Sequence, residues 1–152
     1  MIGKVKILTD NPHSFFLVSI PIFTLIGFII GNESVEISVN DAFYVIEYID
    51  LIKLVSIVFV VIGAGYWAMK KTNRKLNKWL TLLHISLTFG GIILMTFFFT
   101  QLIETNELSK SDDFAHNIGL EVLITITAQI VIVGQLFYPI NLLIGVIKKR
   151  DK

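Results

Sequence analysis

Four long apolar runs, at 15–31, 51–69, 79–103 and 122–147, constrain this chain more than any other feature. Lys53 is the one Asp, Glu, Lys or Arg inside them. A helix that crosses the roughly 30 Å hydrocarbon core of a bilayer needs about 20 mostly apolar residues, because it rises about 1.5 Å per residue. All four runs meet that length. A buried helix of a soluble domain is shorter and carries a polar stripe. Soluble domains also carry roughly a quarter charged residues. Here the fraction is 16%, and the charges gather between the runs. The expected fold is an all-α membrane protein: one domain, 1–152, with helices at roughly 15–31, 48–69, 79–103 and 119–147. The first run has Pro21 at its middle and no small-residue cleavage pattern after it, so it reads as a retained helix.

The charges between the runs alternate in sign. Lys4 and Lys6 precede the first run, Lys70, Lys71, Arg74, Lys75 and Lys78 separate the second from the third, and Lys148, Lys149, Arg150 and Lys152 follow the fourth. The other two connections are acidic, with Glu33, Glu36, Asp41 and Glu47 in one and Glu104, Glu107, Asp112 and Asp113 in the other. Lys and Arg close to spanning helices stay on the cytoplasmic side. The pattern predicts four antiparallel helices with both termini cytoplasmic, in the cytoplasmic (inner) membrane of a bacterium. Nucleic-acid binding would need a solvated basic domain, and the basic residues here are spent on helix ends. The absence of cysteine excludes disulfides, thiolate metal sites and c-type haem attachment.

The first acidic connection alternates Val35, Ile37 and Val39 with Glu36, Ser38 and Asn40. Period two predicts a short extended segment in the first outer loop. From about Phe43 the chain can turn into the second helix. Pro139 is expected to kink the fourth helix, since it lacks a backbone donor and its ring crowds the preceding turn. Gly27 with Gly31, and Ser86 with Gly90, are four apart, a spacing that lets helices approach closely.

The segment 40–50 reads Asn40-Asp41-Ala42-Phe43-Tyr44-Val45-Ile46-Glu47-Tyr48-Ile49-Asp50. It resembles the His-Asp-Thr-Tyr-Tyr-Val-Val-x-His-x-His segment of the catalytic subunit of haem–copper (cytochrome c) oxidases, subunit I. Asp41, Tyr44 and Val45 are kept. Further on, Leu83-His84-Ile85-Ser86-Leu87-Thr88-Phe89-Gly90-Gly91 resembles that family's Ile-His-Phe-x-x-x-Phe-x-Gly, through His84, Phe89 and Gly91. The resemblance implies a scaffold like the C-terminal helices of the subunit, in degenerate form. In the family the two closing histidines ligate the haems. Tyr48 and Asp50 stand at those positions and supply no imidazole nitrogen. Asn40 replaces a histidine that helps hold a non-redox metal. The resemblance therefore implies a protein without oxidase activity, with no catalytic residue, metal or cofactor, acting as an accessory or interaction component of a membrane complex, possible partners being other membrane subunits or further copies of itself.

The remaining polar residues suggest two other readings. Glu47, Asp50 and Lys53 follow one another at spacings of three, which places them on one helix face. Glu121 begins the fourth helix at the same outer level. Ionisable residues inside a membrane are candidates for function, and this cluster would serve a small transporter or ion-conducting oligomer. A local Asp50–Lys53 ion pair is the simpler outcome. Of the three histidines, His13, His84 and His116, only His84 lies deep in a run. It is the candidate for a b-type haem ligand, against the commoner role of an interhelical hydrogen bond to a Thr or Ser. Gln129, Gln135 and Asn141, with Thr125 and Thr127, are expected to join helices.

Overall fold

The computed structural model describes residues 9–30, 34–39, 42–102 and 111–148. The described elements are α1 (Pro12–Ile30), β1 (Ser34–Val39), β2 (Ala42–Glu47), α2 (Tyr48–Lys71), α3 (Lys78–Phe99), α4 (Ser111–Gly134) and α5 (Phe137–Ile147). Four helical stretches are long and apolar enough to cross a membrane: Pro12–Ile29, Tyr48–Lys71, Lys78–Phe99 and Ala115–Ile147. The chain is a multi-pass membrane protein, as the apolar runs predict. Phe28 and Ile29 are 76% exposed, and Ile22, Leu25, Val61, Ile93 and Leu143 are exposed as well. So much outward apolar surface is stable only where lipid is the solvent.

The chain forms two compact units, residues 1–75 with 148–152, and residues 76–147. In the first, α1 opens on Pro12, whose missing N–H lies among those a helix leaves unpaired at its first turn. Phe16, Phe59 and Tyr66 are almost fully buried and form the centre of the α1–α2 contact. The Phe16 ring meets Phe59 edge-on at 5.2 Å and lies near-parallel to Tyr66 at 6.0 Å, and Phe23 meets Phe59 at 5.6 Å. Such pairs contribute about 0.5–1.5 kcal/mol each beyond their area. Two glycines let the backbones close in. A Cβ on Gly27 would stand 2.9 Å from the Ile52 side chain, and one on Gly63 would stand 2.9 Å from Leu17. Gly31 lies outside the described residues.

The extended segment expected in the first connection is a two-stranded antiparallel hairpin, in register from Ser34↔Glu47 to Val39↔Ala42. The second helix begins at Tyr48, the start expected for it, and the residues from Phe43 that could have led into it are strand. Residues 42–47, Ala-Phe-Tyr-Val-Ile-Glu, are mostly aromatic and β-branched, and pairing with β1 satisfies their backbone. Glu47 is the N-cap of α2 in extended conformation, without a side-chain cap bond. At the other end, Asn73 at φ 54° turns the chain out of the helix, and Lys70 and Lys71 occupy the last turn, where cations complement the helix dipole.

In the second unit, α3 packs against α4 and α5. Pro139 interrupts the fourth run, as expected. The run breaks at Gln135–Leu136, four residues before Pro139, which lies inside the first turn of α5. The proline supplies the reason. In an unbroken helix the N–H of residue 139 would donate to the Gln135 carbonyl, and the ring would crowd that carbonyl. Instead Tyr138 N–H donates to Gln135 O at 3.1 Å, and Leu136 N–H to Val133 O at 3.0 Å. These tighter turns absorb the mismatch. The helix also begins at 111 and not near 119, a start that Ser111-Asp112-Asp113 favours, with acids in the first turn. Close approach in this unit uses Gly91, not the Ser86–Gly90 pair. A Cβ on Gly91 would overlap the Val131 side chain, whereas one on Gly90 would meet nothing within 4 Å among the described residues.

Candidate functional site

Of the predicted outer cluster, Asp50 and Lys53 are in contact. They lie one turn apart at the start of α2 and form an ion pair at 2.7 Å. Their side chains are 59% and 64% exposed. Glu47 is exposed at the helix cap. Tyr48, the first residue of α2, is half-buried. Glu121 belongs to the other unit, exposed on α4, where its backbone carbonyl accepts from Thr125 Oγ1 at 2.8 Å. With Ile118, Val122, Thr125, Ile126 and Gln129 it lines a shallow groove along a single helix. Of the family-like motif, Tyr44 and Val45 lie on β2, opposite Ile37 and Glu36. Asp41 and Asn40 lie outside the described residues.

The second unit holds a better-defined constellation. His84, Thr81 and Asn141 are fully buried, and Thr88 nearly so. All four lie on the α3–α5 side of the unit, where an unsatisfied polar group would cost several kcal/mol. Each has a partner. Gln135, in the turn between α4 and α5, links two of them through its side-chain amide. Its Oε1 meets His84 Nε2 at 3.0 Å. Its Nε2 donates to Thr88 Oγ1 at 2.9 Å and to Val131 O at 3.1 Å. The Tyr138 ring stacks over the imidazole, with centroids 5.7 Å apart. His84 is thus held by a glutamine amide. Thr88 is one bond further along.

Asn141 works at the start of α3. Its Oδ1 accepts from Asn77 N–H at 2.8 Å, and its Nδ2 donates to Thr81 Oγ1 at 2.8 Å and to Asn77 O at 3.3 Å. Asn77 in turn caps α3, its Oδ1 accepting from Trp79 N–H at 3.0 Å. Sequence reading placed Asn141 and Gln135 among helix-joining residues but passed over Asn77 and Tyr138. An Asn just before an apolar run is an N-cap signal, so Asn77 was within reach. Nothing in the sequence pairs it with residue 141. Of the other polar residues expected to join helices, Thr125 and Thr127 donate to their own helix, to Glu121 O and Leu123 O. Phe89 is half-buried, and Gly91 is packed on Val131. His13 contacts Ser14 in the first unit, and His116 is exposed. Among the described residues, no three His, Asp or Glu side chains are grouped to hold a metal ion.

No protein-family model matches the chain, and no solved structure matches it. One curated protein does, described as "Alternative cytochrome c oxidase subunit 1", from Bradyrhizobium diazoefficiens. The two are 35% identical over 74 residues, 48% of this chain and 12% of that protein. The chain thus resembles a short part of an oxidase subunit 1, in agreement with the motifs at 40–50 and 83–91.

Proposed function

We propose that this chain is a non-catalytic membrane protein built on a piece of the oxidase subunit I scaffold, serving as an accessory or interaction component of a membrane complex of respiratory type. The observation that carries the reading is the 35% identity to an oxidase subunit 1 over 74 residues. It is joined by the residues at the two haem-ligand positions, Tyr48 and Asp50. Neither offers an imidazole, and the Asp50 carboxylate accepts from Lys53 Nζ at 2.7 Å. The b-type haem alternative through His84 is disfavoured because His84 Nε2 is engaged by Gln135. The ion-conducting alternative has in its favour only an exposed pair one turn apart, and such pairs contribute little. The test is direct. Purified chain is expected to show no Soret band and to co-purify with oxidase subunits in mild detergent. A Soret band lost in His84→Ala would overturn the reading in favour of haem. Ion flux in liposomes lost in Asp50→Asn would overturn it in favour of transport.

The same reading includes the arrangement in the bacterial cytoplasmic membrane: antiparallel spans, both termini and the 70–78 connection cytoplasmic, and the β1–β2 hairpin outside. The alternating charge of the connections supports it. Because the chain has no cysteine, single reporters are unambiguous. Ser34→Cys is expected to react with a membrane-impermeant maleimide in intact spheroplasts, and Lys75→Cys only after lysis. The reverse pattern would invert the topology.

A further inference from the structure

We infer that the basic end of the first unit is a binding site for the phosphate headgroup of an anionic lipid. The site is built from Asn11, Trp67, Lys70, Lys71 and Lys75. The span Tyr48–Lys71 ends at this point, so these side chains stand at the depth of the headgroups. From Tyr66 to Lys78 the chain has five cations and no acid. Asp10 is the acid nearest in sequence to Asn11, and it leaves the balance strongly positive. Charge near helix ends has an ordinary explanation in topology and helix dipoles. Here two of the cations are also held in place. Lys70 Nζ donates to the Asn11 side chain, just before the first turn of α1. Lys71 Nζ lies 4.7 Å from the centre of the Trp67 ring, a cation–π contact. Trp67 is 49% exposed, with its ring at the level where tryptophan prefers the interface. Lys70 is thereby drawn to the N-terminal end of α1, whose first N–H groups carry partial positive charge. The Cβ position of Gly63 lies 3.6 Å from His13 O, which confirms how closely that end of α1 rests on α2. A phosphate bound there would meet Lys70, Lys71 and the helix end together, with its acyl chains along the exposed apolar face of α2 that continues from Trp67 through Val60.

The chain has two tryptophans, Trp67 and Trp79, so Trp79→Phe leaves Trp67 as the only indole. Reconstituted in phosphatidylcholine vesicles, this variant is expected to be quenched more by brominated phosphatidylglycerol than by brominated phosphatidylcholine at equal mole fraction. The preference should fall by up to about fivefold for each cation removed, following about 1 kcal/mol per cation at the surface and 1.36 kcal/mol per tenfold. K70Q/K71Q/K75Q should abolish it, while K148Q/K149Q/R150Q retains it. Equal quenching by the two lipids overturns the proposal, even without the variants. So does equal loss in both triple variants, which would mean general surface attraction and no site. So does full competition by free glycerol phosphate, which would mean a soluble phosphate ligand.

Discussion

Gly91→Leu should prevent α3 from seating on α4, or destabilise that unit by about 3 kcal/mol, at the upper end of overpacking costs. A Cβ at Gly91 already overlaps Val131, so the added isobutyl group has no space to enter. Val131 cannot swing aside, because a β-branched side chain in a helix is confined to one main rotamer. The adjacent glycine is the control. Gly90→Ala meets nothing within 4 Å among the described residues, and alanine is favoured over glycine in a helix interior by about 0.5–1 kcal/mol. The two substitutions, one residue apart, should move stability in opposite directions. Reversible unfolding in mixed micelles, followed by circular dichroism, measures both. Equal effects at the two positions would mean that the α3–α4 contact is not as described.

Asn141→Leu should cost about 3–5 kcal/mol and fray the start of α3. Leucine conserves the volume of asparagine closely enough that the change is mainly polar. Three hydrogen bonds are lost, and Asn77 N–H and Thr81 Oγ1 stay buried or half-buried without that partner. Hydrogen bonds between membrane helices contribute about 0.6 kcal/mol on average, and an orphaned buried donor adds about 1–3 kcal/mol. Hydrogen exchange is the sharper measurement. Amides of residues 77–82 should lose protection while those of α1 and α2 keep theirs. Unchanged protection at the start of α3, with stability within about 0.5 kcal/mol of the parent, would assign the cap to Asn77 alone.

These two positions also mark where sequence reading reached and where it stopped. The smallness of residue 91 and the polarity of residue 141 were visible, along with the idea that such residues join helices. The choice of Gly91 over Gly90 was not. Two adjacent glycines are equivalent in composition, and only the azimuth of α3 against α4 decides which one meets Val131. The hairpin was half legible. Alternation revealed β1, but the aromatic and β-branched run at 42–47 suits both a strand and the beginning of an apolar helix. Pairing with β1 resolved that choice in favour of a strand.

The apolar runs by themselves determined that this chain lives in a membrane and where its spans lie. Backbone groups in hydrocarbon must be satisfied within the helix, so run length leaves one solution. The motifs at 40–50 and 83–91 indicated the oxidase likeness, because local segments keep their residue pattern however the helices later pack. Contacts across the fold decided the rest. The His84–Gln135 bond joins residues 51 apart, and the Asn77–Asn141 bonds join residues 64 apart, because helices distant in sequence lie side by side in the second unit. Those outcomes depend on azimuth and on which helices are neighbours, and a one-dimensional pattern carries neither.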